Sequence, residues 1–252
     1  MIYIKSNREI VKIKKACKIV AEVIELVKKN IKPGSTTLEL NLIAEDYIYS
    51  KNGRPAFKDY KVSGLPAFPG GLCTSVNNCI VHGIPSSQTV LNEGDIISID
   101  VGVELDGYFG DAAVTCGVGN ISEENKNLLK ITKEALDKGI YFAKIGNSIG
   151  DISNAIGEYI VENGYYVADQ LTGHGVGKAL HEEPVIPNLG EKSKGHMIRK
   201  NMTLAIEPMV NVGTSKVMSR EWEYFTNDGK NSAHFEHTIL VTETNPEILT
   251  LI

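Results

Sequence analysis

Residues 32–53, KPGSTTLELNLIAEDYIYSKNG, have a counterpart in residues 144–164, KIGNSIGDISNAIGEYIVENG. Gly34 matches Gly146, Thr36 matches Ser148, and Glu39 matches Asp151. Tyr47-Ile48 match Tyr159-Ile160, and Asn52-Gly53 match Asn163-Gly164. In the first copy Thr36 and Glu39 form a capping box, Leu40, Ile43, Tyr47 and Ile48 line one face, and Asn52-Gly53 stops the helix. Upstream, Ile10, Ile13, Cys17, Val20, Ile24 and Val27 recur at helical spacing behind a second capping box, Ser6 with Glu9, and Pro33-Gly34 ends the segment. Upstream of the second copy, residues 122–143 read as a helix capped by Ser122, with Leu128, Leu129, Ile131, Ala135 and Leu136 inside. Four amphipathic helices need sheets to cover their apolar stripes. The pattern predicts one α+β domain spanning residues 1–252, built by internal duplication, with halves at about 1–120 and 121–252.

Strand composition fills the second part of each half. Ile96, Ile97 and Ile99 lead into Asp100-Val-Gly-Val, a turn falls at Leu105-Asp106-Gly107, and residues 108–114 return. In the second half, residues 203–212 and 233–241 read as strands. Asp100 sits inside an otherwise apolar strand, where a lone carboxylate needs a cation or strong donors. Asp111 lies on the returning strand. With a two-residue loop at 105–106, Asp100 faces Asp111 directly; with the loop at 106–107, Asp111 faces Gly102, which shares the face of Asp100. Either register puts both carboxylates on one side. Two such charges repel, so one proton is retained or a metal neutralises them. From spacing alone, metal binding and a hairpin with one protonated or solvent-facing Asp stay open.

The second half carries similar chemistry. Glu207 ends an apolar stretch in Thr-Leu-Ala-Ile-Glu-Pro-Met, and Glu236 precedes another in Phe-Glu-His-Thr-Ile. His174 lies in Thr-Gly-His-Gly-Val-Gly, where glycines permit close approach of backbone or ligand. Each motif alone is weak. Four carboxylates with one imidazole form a hard, oxygen-rich set that suits a pair of Mn, Fe or Co type ions better than a structural zinc.

Composition narrows the function classes. With 42% hydrophobic and 23% charged residues the chain is globular, which excludes a disordered tail or a collagen-like repeat. No apolar run reaches the ~18 residues of a membrane span. The start, MIYIKSNREI, has neither an h-region nor a small-residue cleavage site, so a cytoplasmic protein without a membrane role is expected. Lys plus Arg number 26 against 31 Asp plus Glu, a net charge of −5 that disfavours a DNA-binding field. Cys17, Cys73, Cys79 and Cys116 show no Cys-x-x-Cys spacing and read as reduced thiols.

Five motifs together resemble the type I methionine aminopeptidases: Asn77-Asn-Cys-Ile-Val-His-Gly-Ile-Pro, Ile99-Asp-Val-Gly with Gly110-Asp-Ala-Ala, Thr172-Gly-His-Gly-Val-Gly, Ile206-Glu-Pro-Met, and Phe235-Glu-His-Thr-Ile. They occur in the family's order and cover nearly the whole chain. The resemblance implies the pita-bread fold, with two pseudo-symmetric halves and antiparallel sheet covered by helices. It implies two divalent ions on Asp100, Asp111, His174, Glu207 and Glu236, with Asp111 and Glu236 bridging. It makes His82 and His181 catalytic imidazoles outside the metal shell, His82 toward the substrate amine or departing fragment and His181 toward the scissile carbonyl oxygen. The implied reaction removes the initiator methionine from a nascent polypeptide, preferring a small second residue. Two metals about 3.5–4 Å apart activate a water that attacks the carbonyl, with Glu207 as general base. The methionine pocket would be lined by Leu65, Phe68, Cys73, Leu180 and Trp222. Leu65 and Leu180 stand where the family has aromatics, and His234 where it has Gln, so the pocket's selectivity between Met and Leu is open. Asn77, Cys79 and Ser232 match a monovalent-cation site of some relatives; ordinary strand-end hydrogen bonding explains them equally.

Two other functions compete. A proline-directed aminopeptidase or prolidase shares the five ligands, but such enzymes carry a large preceding domain for which the start near Ser6 leaves no room. A metal-free binding module on the same fold would have lost ligands, and all five are present. The short interval between Glu207 and Glu236 argues against the type II subfamily. Lys12, Lys14, Lys15 and Lys18 cluster on the first helix, either as a solvated face or as a transient ribosome contact. A monomer is expected.

Overall fold

Ser6 and Glu9 close the first helix as a reciprocal cap. The Glu9 carboxylate accepts from the Ser6 backbone N–H at 2.7 Å, and α1 runs Asn7–Lys28. The structure, a computed structural model, describes residues 2–251. Thr36 and Glu39 repeat the box before α2 (Thr37–Ser50), and Ser122 caps α3 (Glu123–Phe142). Ser148 donates to the Asp151 carboxylate from both its N–H (2.7 Å) and its hydroxyl (2.8 Å) at the start of α4 (Ile149–Glu162). The two cap residues also sit alike against the chain that follows: Thr36 bridges to Val90, and Ser148 to Met197.

Fifteen strands complete the described residues. The first half contributes β1 (Arg54–Pro55), β2 (Cys73–Val76), β3 (Cys79–Val81), β4 (Ile96–Leu105) and β5 (Tyr108–Gly117). The second contributes β6 (Tyr166–Val167), β7 (Thr172–Gly175), β8 (Glu182–Pro187), β9 (Thr203–Ile206) and β10 (Met209–Asn211). It ends with β11 (Val217–Arg220), β12 (Glu223–Thr226), β13 (Ser232–His234), β14 (His237–Leu240) and β15 (Glu247–Ile248). The antiparallel framework is divided. β4 pairs with β5 along its length and with β1 and β2 on its other edge, while β15-β14-β9-β7-β8 form a five-stranded sheet. The order β13-β10-β6 and the order β11-β12-β3 make two small sheets, the latter crossing between halves.

Strand alternation separates core from site. Ile97, Ile99, Val101 and Val103 of β4 pack with Val20, Ile24, Leu40 and Ile48 of α1 and α2. Each fully buried aliphatic side chain of this kind contributes about 1.5–3 kcal/mol. Ser98, Asp100 and Gly102 lie on the opposite face. The second core joins Leu136, Ile152, Ile156 and Ile160 of α3 and α4 to Leu204, Ile206 and Ile239. No helix among the described residues is long and apolar enough to cross a membrane.

The halves are stitched through β5. The Glu236 N–H donates to the Ala113 carbonyl (2.8 Å), and the Ala113 N–H to the Glu236 carbonyl (3.3 Å). On one side of this pair Thr115 Oγ1 accepts from the His234 N–H and donates to the His234 carbonyl, each at 2.8 Å. On the other, Thr238 Oγ1 accepts from the Asp111 N–H (3.1 Å) and donates to its carbonyl (2.7 Å). Asp111 and Glu236 are thereby fixed side by side although they come from different halves.

Candidate metal centre

The β4–β5 hairpin adopts the second of its two possible registers. Leu105 pairs with Tyr108, leaving Asp106-Gly107 as the loop. Both loop residues have positive φ (52° and 76°), as a type I′ turn requires. Asp111 therefore faces Gly102 and Asp100 faces Ala113, with both carboxylates lining the same cavity. Glycine at 102 makes room: a Cβ there would lie 2.7 Å from the Phe57 ring.

The stretches 203–212 and 233–241 are each interrupted, and the interruptions carry the acids. Glu207-Pro208 separates β9 from β10, since Pro208 has no N–H for the ladder. Phe235-Glu236 separates β13 from β14, where Glu236 turns its backbone bonds to Ala113 instead. His174 enters from β7 between β8 and β9. A Cβ at Gly173 would lie 2.5 Å from the Ala205 carbonyl oxygen, and one at Gly175 2.4 Å from that of Glu183, so only glycine permits this close packing.

His174 is oriented by its far nitrogen. Nδ1 lies 2.8 Å from the Gly175 carbonyl, which can only accept, so Nδ1 carries the proton and Nε2 presents a lone pair. That lone pair faces acids: Nε2 is 3.4 Å from Glu207 Oε1 and 3.9 Å from Asp111 Oδ2. Donor atoms of Asp111, His174 and Glu236 lie within 4.8 Å of one another, as do those of Glu207, His234 and Glu236. Asp100 belongs to neither triad but opens onto the same cavity.

Four acids so placed cannot all ionise unaided. Burial pushes Asp100 up to about 7, against an opposing pull from His234. Burial also holds Asp111, Glu207 and Glu236 well above the usual carboxylate range; neighbouring carboxylates add to this for Asp111 and Glu236. Burial lowers His174 to about 3, leaving its imidazole neutral. Asp100 Oδ1, Asp111 Oδ1, Glu236 Oε1 and His234 Nε2 are buried without a hydrogen-bond partner among the described residues. Buried carboxylate oxygens without donors are costly unless they are paired or coordinate metal. The donor set, oxygen-rich with neutral imidazole, fits divalent cations.

The acids floor a cavity of about 590 Å³. His82 and His181 both line it. His82 follows β3 with φ of 59° and meets the Tyr224 ring edge to face; burial, with His234 and His181 adding to it, lowers its pKa to about 4. His181 stands edge to face over His174, ring centroids 4.5 Å apart. Phe68, Cys73, Leu180 and Trp222 form the apolar wall as a buried cluster with Phe57. Leu65 packs against this cluster but is absent from the cavity lining, where Tyr60 and Val62 stand instead. The segment carrying them is tied across the wall by the Trp222 Nε1–H, which donates to the Pro66 carbonyl at 2.8 Å.

Residues 11–243 match the sequence profile of metallopeptidase family M24. The chain belongs to that family. A methionine aminopeptidase of Clostridium acetobutylicum is 47% identical, over 100% of this chain and 99% of its own. The crystal structure of a methionine aminopeptidase from Thermotoga maritima superposes with a TM-score of 0.97 at 44% identity, covering 100% of both chains. A prolidase from Pyrococcus horikoshii gives a TM-score of 0.76 at 25% identity, and the match spans 98% of this chain but 63% of the prolidase. The fold is thus the pita-bread fold that the motifs imply.

Membership in M24 makes the chain a metal-dependent peptidase, and the acidic nest is where its divalent metal fits. Among the lining residues outside the predicted site, Tyr60 and His234 meet its functional groups. Tyr60 precedes the region of the motifs, and only its 2.9 Å contact with His181 Nδ1 reveals it. His234 is visible in the sequence as a departure from Gln, but nothing in its neighbours shows that it reaches Glu207. Asn77, Cys79 and Ser232 lie near one another at strand ends, where the Ser232 N–H donates to the Asn77 carbonyl (2.9 Å) and Asn77 Nδ2 to Asp95 (2.9 Å).

Proposed function

We propose that this M24 chain is a methionine aminopeptidase that removes the initiator methionine from nascent polypeptides, using two divalent ions held by Asp100, Asp111, His174, Glu207 and Glu236. One observation carries the reading: an acidic, imidazole-bearing floor opens directly into an apolar pocket walled by Phe68, Cys73, Leu180 and Trp222. A thioether side chain suits such a wall. When bound, the ion pair lowers the pKa of a shared water and polarises a carbonyl.

The protein's own groups supply the rest. Glu207, lining the cavity beside His174, is suited to take a proton at its carboxylate and return it to the departing amine. His181 lines the same space and donates to the scissile carbonyl oxygen as charge develops there. His82, half-buried and neutral, lines the cavity and contacts the amine end or the leaving fragment. A small second residue is preferred. The five ligands named by the motifs do not by themselves choose among Mn, Fe and Co. The proposal stops at divalent ions, since strand-end bonding accounts for Asn77, Cys79 and Ser232.

Residues 1–252 are read as one catalytic unit with halves at about 1–120 and 121–252, supported by the matching caps at Thr36 and Ser148. Cytoplasmic residence and a monomeric state are part of the same reading; the free cysteines Cys17, Cys73, Cys79 and Cys116 support a reducing compartment. The basic cluster on α1 is read as a solvated face rather than a ribosome contact. Lys14 pairs with Glu247 at 2.7 Å, and Lys12 lies over the Tyr108 ring.

The proline-directed alternative is disfavoured because the likeness to the prolidase is weaker, 25% identity and a TM-score of 0.76 against 44% and 0.97 for the methionine aminopeptidase. The deciding experiment compares Met-Ala-Ser, Leu-Ala-Ser and Xaa-Pro peptides on metal-loaded and chelated protein. Release of Met alone, abolished by chelation and restored by metal, is expected. Cleavage of Xaa-Pro without Met-Ala-Ser would transfer the chain to the prolidase reading, and equal rates on Met and Leu would remove strict Met selectivity.

A further inference from the structure

The Glu207 carboxylate lies between two imidazoles. His174 Nε2 is 3.4 Å from Oε1, and His234 Nε2 is 3.4 Å from Oε2. Only His174 belongs to the ligand set that the family motifs assign. His234 is 2% exposed, and its Nε2 is buried without a hydrogen-bond partner among the described residues. Its backbone cannot shift freely, because Thr115 holds both its N–H and its carbonyl at 2.8 Å.

The spacing discriminates between two roles. An N–H···O bond would draw the atoms to about 2.7–3.2 Å. Two donors on one ion, each bonded at about 2.0–2.2 Å with near-tetrahedral angles, stand about 3.4 Å apart. Both imidazoles show that separation from Glu207. Donor atoms of Glu207, His234 and Glu236 also lie within 4.8 Å of one another, a triad that shares Glu236 with the Asp111, His174 and Glu236 triad. Each triad contains two carboxylates and one imidazole.

We propose that His234 is a sixth protein ligand, giving the cation pair a second imidazole on its Glu207–Glu236 side. The inference rests on the reading of a divalent pair in this cavity. Its chemical consequence is selectivity: added imidazole nitrogen favours ions such as Co(II), Fe(II) and Zn(II), whereas an all-carboxylate side favours Mn(II). The chain would then hold cobalt or iron with a larger advantage over manganese than a Gln at the same position permits.

Two measurements test it. Calorimetric titration of the chelated protein with Co(II) and with Mn(II) is compared between wild type, His234→Gln and His82→Gln. His234→Gln is expected to weaken one cobalt equivalent by roughly tenfold or more and manganese distinctly less, while His82→Gln leaves both unchanged. Diffraction from cobalt-loaded wild-type crystals should place His234 Nε2 about 2.0–2.2 Å from an ion. This measurement decides the matter if His234→Gln does not fold. A cobalt-to-manganese affinity ratio equal in wild type and His234→Gln, or an Nε2 standing 3 Å or more from every ion at roughly full occupancy, overturns the proposal. If wild type binds no divalent metal, the dinuclear reading itself fails; if it binds two ions without His234, only the sixth ligand is lost.

Discussion

The hydroxyl of Tyr60 lies 2.9 Å from Nδ1 of His181, and the two rings meet edge to face with centroids 5.6 Å apart. A phenol that donates to Nδ1 leaves the proton on Nε2, the tautomer able to donate to a carbonyl oxygen. Tyr60→Phe should lower kcat roughly three- to tenfold, the worth of one hydrogen bond, with KM and metal content little changed. Steady-state kinetics on Met-Ala-Ser, paired with elemental metal analysis, checks this. A fall in bound metal would show that Tyr60 acts elsewhere.

Asp100→Asn and Glu236→Gln should lose both metal and activity, because each removes an anionic oxygen donor from the proposed ligand set. His82→Ala should keep its metal and lose turnover by roughly 10²-fold or more, the range of a positioned imidazole. Metal stoichiometry measured on the same samples as Met release separates the two classes. Normal metal-dependent cleavage by Asp100→Asn would contradict the ligand assignment.

The metal-free protein should have an unusual pH dependence. Asp100, raised from an ordinary 3.8 to about 7, contributes stability at low pH that disappears as pH rises through its folded value. The raised Asp111, Glu207 and Glu236 act in the same sense. His82 and His174, lowered from 6.5 to about 4 and about 3, oppose this trend below 6.5, where they lose stability as pH falls. By about pH 7.5, roughly a unit above the unfolded value, those histidines are neutral in both states, and the carboxylates remain, joined toward pH 9 by the buried thiols of Cys17, Cys73 and Cys79, which burial also raises. Chelated protein should therefore melt several degrees lower at about pH 9 than at about pH 7.5, while metal-loaded protein should not. Thermal melts with and without chelator measure the difference; a chelated Tm that rises across this interval would refute the burial argument.

A buried polar knot holds the chain that leads into Cys73 of the apolar wall. Asn41 Oδ1 accepts from the Gly71 and Leu72 N–H groups at 2.7 and 3.0 Å, and its Nδ2 donates to Glu45 at 2.9 Å. Asn41→Ala leaves the Leu72 N–H without this acceptor, next to Cys73 of the apolar wall. We expect a loss of about 1–3 kcal/mol, read as a lower urea midpoint, together with a raised KM for Met peptides. An unchanged midpoint would mean that the loop relaxes to find other partners.

The helices were legible because caps and spacing act locally: Ser6, Thr36 and Ser122 each begin a helix where a hydroxyl can meet the third following N–H. Strand continuity was not legible. Residues 203–212 and 233–241 look unbroken by composition, yet each splits at its acid, one because Pro208 cannot donate and the other because Glu236 pairs with a strand from the other half. The second cause is non-local and leaves no mark in the flanking residues. The wall shows the same limit: Phe68, Cys73, Leu180 and Trp222 are assembled as their types suggest, but Tyr60 rather than Leu65 faces the cavity, because that choice depends on how the 57–69 segment lies under Trp222.

The Ala113–Glu236 backbone pair has a further consequence. Because it crosses from one half to the other beside the acidic floor, a molecule whose halves have come apart has no floor left to work with. Damage anywhere that loosens this junction would yield an inert polypeptide instead of a careless protease, and a cell would be spared indiscriminate trimming by its own worn-out copies.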